Sequence, residues 1–199
     1  MKRLGALVME NTLAYRLWQA PFVAEKLAPV LRHTDLGAVR RVLDVGCGPG
    51  INAPHFQGKD YVGIDWNPSY IDFCRARFKG TFIVADITKH DFGRDRFDFI
   101  LVNSFLHHVD DESAARILRQ LGPLLTGDGR VHIVELVMPP TRSIPRLLAR
   151  WDRGDYPRPL EDWRRLFGTA FTPEVFEPFS LRRAGVRLWD MVYFKGRAP

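Results

Sequence analysis

Three acids, three glycines, an asparagine and two histidines stand where their types and spacing could do chemistry. Asp44 is followed by Gly46, Gly48 and Gly50, at every second position of the run VLDVGCGPG. Glycine in such a turn lets backbone pass close to a ligand. A carboxylate aimed at that space repels the pyrophosphate of a dinucleotide, and Pro49 has no N–H to offer an anion, so the turn suits a ligand that carries a cation. Asp65 comes fifteen residues past Gly50, at the end of a second apolar run, where a carboxylate can accept hydrogen bonds from both hydroxyls of a ribose. Asp86 closes a third run, TFIVADI, and Asn103, His107 and His108 follow a fourth in RFDFILVNSFLHHV. These groups describe a nucleoside site with an imidazole beside it, and a free imidazole, with a pKa of about 6.5, accepts a proton at neutral pH.

Regular elements must bring these residues together. Val42, Leu43 and Val45 read as a buried parallel strand, Tyr61, Val62 and Ile64 as a second, and Phe99 to Val102 as part of a fourth. Polar groups therefore collect at the C-terminal ends of the strands, where open α/β sheets bind ligands. Residues 52–56 should start a first crossover helix, and NPSYIDFCRARF a second, with Asn67 or Ser69 near its start and Pro68 at an early position. DDESAARILRQLGPLL reads as a helix with acids in its first turn and a break at Gly122-Pro123, and GDGRVHIVELV as a turn and a fifth strand ending near Glu135. The alternation predicts right-handed crossovers and a mostly parallel sheet. EVFEPFSLRR and VRLWDMVYFKG read as two closing strands paired across Arg183 to Gly185.

With DVGCGPG, GIDWNP, the AD pair of VADI, FDFILVNSFLHHV and LLTGDGRVHIVEL in this order, the chain resembles the class I S-adenosylmethionine-dependent methyltransferases over roughly residues 39–137. The resemblance implies an α/β, Rossmann-like doubly wound fold: a mostly parallel seven-stranded sheet with an antiparallel last strand and helices on both faces. It implies S-adenosyl-L-methionine as cofactor. Gly46, Gly48 and Gly50, with Cys47 in the same turn, would admit its methionine part, and Asp44 would serve the amino group through the turn. Asp65 would hold the ribose with Trp66 near the adenine, Asp86 would accept from the adenine amino group, Ile87 would cover the ring, and Asn103 would close the site from the fourth strand. One domain is expected, with residues 1–38 as a helical lid, 39–137 as the cofactor-binding core, 138–170 as a substrate-side insertion and 171–199 as closing strands.

A length of 199 residues with 46% apolar and 12% aromatic side chains suits one compact core. No apolar run approaches the roughly 20 residues needed to span a bilayer, and MKRLGALVMENT has no obvious cleavage site, so a cytoplasmic, unprocessed chain is expected. Cys47 and Cys74 fit neither a metal pattern nor a disulfide framework and read as small packing residues, and no metal is expected. Near-helical recurrence of Leu13, Leu17, Val23, Leu27, Val30 and Leu31 predicts N-terminal helix, in which Tyr15 and Trp18 either line a lid over the substrate or belong to a packing face.

Ile144, Leu147, Leu148 and Trp151, interleaved with Arg142, Arg146, Arg150 and Arg153, predict a basic amphipathic helix. It would serve as a surface helix packed on the body, a mobile lid, or a face that meets an anionic substrate or a membrane surface. Tyr156 and Arg158 follow in a proline-flanked loop, and with Glu135 they are candidate substrate contacts. His107 and His108 are the candidate catalytic bases, needed only where the acceptor must lose a proton; otherwise they shape the pocket. A net charge of +6, rich in arginine, admits nucleic acid as substrate, but the fourth strand ends in NSFLHH and lacks the Asn/Asp-Pro-Pro-aromatic run of base-amine methylating relatives. The expected acceptor is a small molecule, anionic or lipid-linked. The alternatives are a nucleic-acid methyltransferase and a cofactor-binding protein of this fold that does not methylate.

Overall fold

The computed structural model describes residues 22–94, 96–152 and 154–199. Strands β1 (Arg41–Val45), β2 (Asp60–Asp65), β3 (Thr81–Val84), β4 (Phe97–Asn103), β5 (Leu125–Val137), β6 (Thr172–Arg183) and β7 (Val186–Arg197) form one seven-stranded sheet in the order β3-β2-β1-β4-β5-β7-β6. The first five are parallel to one another, and β7 runs antiparallel between β5 and β6. The strand order changes direction between β1 and β4, and the crevice outside their C-terminal ends is where such sheets take ligands. The expected α/β, doubly wound sheet with an antiparallel last strand is the observed one.

Among the described residues five α-helices cover the sheet: α1 (Val23–Arg32), α2 (Pro68–Arg77), α3 (Asp111–Leu121), α4 (Ile144–Trp151) and α5 (Leu160–Gly168). β4 shows why both faces are covered. Its Phe97, Ile100 and Val102 pack with Ile117 and Leu118 of α3 and Trp163 and Phe167 of α5. Its Phe99 and Leu101 pack on the opposite side with Leu27 of α1, Ile71 of α2 and Ala149 of α4. A strand buried on both faces reads as a continuous apolar run, as FILV does.

Local chemistry sets the element ends. The Asn67 side chain accepts from Ser69 N at 2.9 Å and Tyr70 N at 3.4 Å, with Pro68 in the first turn of α2. Asp110 caps α3 through Ser113 N at 2.8 Å, followed by Asp111 and Glu112 in the first turn. At the β6–β7 hairpin, Ala184 and Gly185 adopt φ of 48° and 79°, the two left-handed residues of a primed two-residue turn.

Two expectations are corrected. Residues 52–56 give no α-helix: Ala53–Phe56 forms one 3-10 turn, with Pro54 inside it and Gly58, at φ 82°, two residues behind. β5 begins at Leu125, so the GDG segment is a bulge within the strand, where the partner of β4 jumps from Leu125 to Arg130, and the strand runs two residues beyond Glu135. Helix α4 forms where expected; Ile144, Leu147 and Trp151 are 52%, 47% and 65% exposed, and Pro145 and Ala149 are its buried residues. Among the described residues no helix is long and apolar enough to cross a membrane.

Trp163 locks α5 to the sheet: its ring is fully buried, stacks on Phe167 at 5.4 Å, and its Nε1 donates to Leu136 O at 2.8 Å. Trp163→Ala should cost about 3–5 kcal/mol, the range for removing a buried aromatic ring, read as a lowered urea midpoint at unchanged slope.

Candidate functional site

The turn after β1 is held in a conformation that its sequence requires. Gly46, Gly48 and Gly50 have φ of 67°, 53° and 72°. A Cβ on Gly46 would lie 2.5 Å from the Phe105 ring and one on Gly50 2.7 Å from Phe78, whereas Gly48 faces open space. Two of the glycines thus make room for protein side chains, and Gly48 alone of the three looks outward. Cys47 is buried, with its Sγ 2.9 Å from where a side chain on Gly63 would begin, and a hydrogen bond with Cys74, together with burial, pushes its thiol pKa up.

Two carboxylates flank this turn. Asp65 accepts from Gly48 N and Asn67 N, each at 2.9 Å, and burial raises its pKa in spite of these donors. Asp44 is fully buried at the end of β1. Its Oδ2 accepts from Tyr61 Oη at 2.5 Å and Asn52 Nδ2 at 3.1 Å, but its Oδ1, equally buried, has no partner. Desolvation therefore outweighs both hydrogen bonds and raises the carboxyl to about 6. Further along the cleft edge, Trp66 is 75% exposed, Ile87 is buried, and exposed Asp86 accepts from Thr88 N and Oγ1, which hold its pKa down.

From Asp44 a chain of polar side chains crosses to β4. Asn52 Oδ1 accepts from Asn103 Nδ2 at 3.1 Å, Asn103 Oδ1 accepts from Ser104 Oγ at 3.1 Å, and Ser104 Oγ accepts from Lys26 Nζ at 3.0 Å. Burial lowers the Lys26 pKa, against the opposing field of Asp152 and Glu135.

The loop after β4 is built on Glu135. This buried carboxylate accepts from Phe105 N at 2.9 Å and Leu106 N at 2.5 Å, and its Oε2 lies 2.7 Å from His107 Nδ1. His107 Nε2 lies 3.2 Å from Asp152 Oδ1. Burial alone would lower the His107 pKa, but the two carboxylates win and raise it to about 9. The segment after α4 is strapped over this loop: Tyr156 N donates to His107 O at 3.0 Å, and Gly154 lies so close that a Cβ there would be 2.1 Å from the His107 ring. Arg158 closes the strap, donating to Asp111 Oδ1 at 2.6 Å, Leu106 O at 2.9 Å and Val109 O at 2.8 Å.

The structure brings Asp44, Gly48, Asp65, Asn103 and the loop bearing His107 and His108 to one edge of the sheet. His107 has both ring nitrogens between carboxylates, so it is not placed to accept a proton; His108 is exposed. Glu135 and Arg158, expected at the substrate, are spent inside the protein, whereas Tyr156 remains exposed. Tyr15, Trp18 and most of the expected N-terminal lid lie outside the described residues. Lys26, Asn52, Tyr61 and Asp152 were not foreseen. Only Asn52 and Tyr61 carried a signal: they flank the glycine turn and the second strand, where a polar group with no other purpose can face Asp44.

Residues 42–129 match the methyltransferase domain family. Over that stretch the chain is similar to methyltransferase domains, and its sheet is the fold that S-adenosylmethionine-dependent methyltransferases of known structure share. An uncharacterised methyltransferase of Mycobacterium tuberculosis is 32% identical over 115 residues, 55% of this chain and 57% of that protein. A fatty-acid O-methyltransferase of Mycolicibacterium smegmatis is 32% identical over 134 residues, 61% of this chain and 44% of its own length. The chain therefore spans only about half the length of these curated relatives. The plantazolicin methyltransferase BpumL, solved with S-adenosylhomocysteine, superposes with a TM-score of 0.72 at 17% identity over 98% of this chain and 90% of that one.

The half-satisfied Asp44 predicts a pH-dependent stability. Its folded pKa of about 6 lies above the unfolded value of about 3.9, so the folded state favours the protonated acid. The ligand-free protein should lose stability as pH rises from about 4 to about 6, by an amount on the order of 2 kcal/mol. Asp44→Asn, an isostere with nothing to ionise, should remove that slope and be the more stable form at pH 7.5, as urea unfolding at pH 4.5 and 7.5 would record.

Proposed function

We propose that the chain binds S-adenosyl-L-methionine at the C-terminal edge of the sheet and transfers its methyl group to a small-molecule acceptor, anionic or lipid-linked, by in-line displacement. The observation that carries the cofactor reading is the buried, unpartnered Asp44 Oδ1 at the head of a turn whose Gly48 faces open space: an orphaned carboxylate oxygen is costly unless a ligand donor satisfies it, and an ammonium group is the donor that best does so. Asp65, at the end of β2, is the ribose acceptor in this reading, and Trp66 and Ile87 flank the base.

When bound, the cofactor supplies a methyl group already activated by a sulfonium, so the protein's work is alignment. Phe105 on Gly46 fixes the loop after β4 against the glycine turn, and the strap through Arg158 keeps that loop in place. Support for a small acidic or lipid-linked acceptor comes from the relative named for fatty acids, from the chain's net charge of +6, and from the NSFLHH sequence after β4.

Calorimetric titration should show binding of the cofactor and its demethylated product, weakened by roughly 1–3 kcal/mol in Asp65→Ala. Tight binding of a nicotinamide dinucleotide, with none of this cofactor, would overturn the reading. Affinity should also depend on pH with a definite sign. The ligand's ammonium favours ionised Asp44, so affinity should be full above pH 6 and fall by up to tenfold per unit below it, a dependence that Asp44→Asn abolishes along with much of the binding.

A further inference from the structure

We propose that His107, His108 and Asp152 form a binding site for a first-row divalent cation, with Glu135 as the buried group that orients His107. One donor atom from each of the three residues lies within 4.8 Å of the others.

The two sides of the His107 ring differ in a way that points to a ligand. Nδ1 meets Glu135 at 2.7 Å, the length of a charge-assisted hydrogen bond, which is about 2.7–2.9 Å. Nε2 stands 3.2 Å from Asp152 Oδ1, long for such a bond between groups of opposite charge. Two ligands each about 2.1 Å from a small cation, at tetrahedral or octahedral angles, lie about 3.0–3.4 Å apart. A buried carboxylate on the far nitrogen of a ligating imidazole is the recurrent outer support of histidine metal sites, because it fixes the tautomer and aims the free lone pair. Here that support is the fully buried Glu135.

His108 supplies the third donor. Its ring centroid is 4.3 Å from that of His107, and the side chain is exposed, so rotation can bring a nitrogen inward without disturbing the core. On binding, the proton between Nε2 and Asp152 leaves to solvent, Asp152 then faces the doubly charged ion, and Glu135 keeps its hydrogen bond to Nδ1. The Lys26 ammonium lies in the field of both carboxylates and opposes the ion, which favours a weaker, exchangeable site over a closed structural one. Two imidazoles and one carboxylate suit zinc, cobalt or nickel rather than magnesium or calcium, and three protein ligands leave a position open to an oxygen of an acceptor molecule. That last use rests on the methyl-transfer reading; cation binding does not. Asp152 is 44 residues from His108, so no metal spacing is visible in the sequence.

The test is titration of the tag-free full chain with Co²⁺, followed by its ligand-field absorption, and displacement by Zn²⁺, without cofactor. One equivalent should bind, Mg²⁺ should not compete, and His90→Ala should bind like the parent. His108→Ala and Asp152→Asn should each weaken binding at least tenfold, and Glu135→Gln by about 10- to 100-fold. Asp152 and Glu135 also hold the loop, so the exposed His108, whose alanine variant should keep the parent melting temperature, carries the decision. Absence of stoichiometric binding, or unchanged binding in His108→Ala, would overturn the site while leaving the cofactor titration untouched.

Discussion

The loop after β4 and the strap over it depend on one buried charge. Glu135 sits in the middle of the sheet edge with no exposure to water, where an unpaired carboxylate would be untenable. Two backbone N–H groups and an imidazole answer it, and answering it dictates the path of the loop after β4. Ser104 is held at φ 56°, a strained value for a residue with a side chain, so that Phe105 and Leu106 can present their N–H groups. The same path seats Phe105 on Gly46 and leaves the carbonyls of Leu106 and Val109 for Arg158. Removing one partner of such a buried pair typically costs about 3–5 kcal/mol, and here it would release the loop that joins the glycine turn to the strap.

Asp44, at the end of β1, is treated in the opposite manner. Glu135 is fully answered, and its pKa is held low despite burial; Asp44 has donors on one oxygen only, and its pKa is raised to about 6. Both sit in the same low-dielectric sheet edge, so the difference lies in the donors each was given. One carboxylate builds structure, and the other is left short of a donor. A chain that lowered its energy by satisfying Asp44 internally would have no strong site for a ligand cation there, the usual opposition between stability and function.

Much of the turn after β1 and its acids was legible because its logic is local. A strand, a glycine turn and an acid at the next strand end lie within some 25 residues of one another, and each is set by its own backbone needs. Yet even there the reason for two of the glycines was hidden: Phe105 and Phe78, which occupy the space over Gly46 and Gly50, come from distant segments. The loop after β4 and its strap were much less legible. Arg158 reads as a free cation in a proline-flanked loop, and only tertiary structure shows its guanidinium committed to Asp111 and two carbonyls. His107 reads as a base, and only the arrival of Glu135 from β5 and Asp152 from the end of α4 shows it clamped. Tyr61, read as part of a buried strand, spends its hydroxyl on Asp44.

Helix α4 shows how a correct periodicity can leave orientation open. Its apolar stripe and basic residues have helical spacing, but spacing does not say which face turns inward. Small Pro145 and Ala149 are buried, and the helix packs against β7, while Ile144, Leu147 and Trp151 stay out. With its large side chains unburied, the helix is held by other means: Ser143 caps it through Arg146 N at 3.3 Å, and the Arg146 guanidinium donates to the carbonyls of Pro139 and Pro140. Its last turn ends at Asp152, whose N–H bonds to Leu148 O at 2.8 Å, and whose side chain meets His107. Polar contacts at a partly solvated surface open more readily than packed core. The carboxylate that meets His107 thus hangs on a helix whose large side chains face out, while its partner histidine hangs on a fully buried charge.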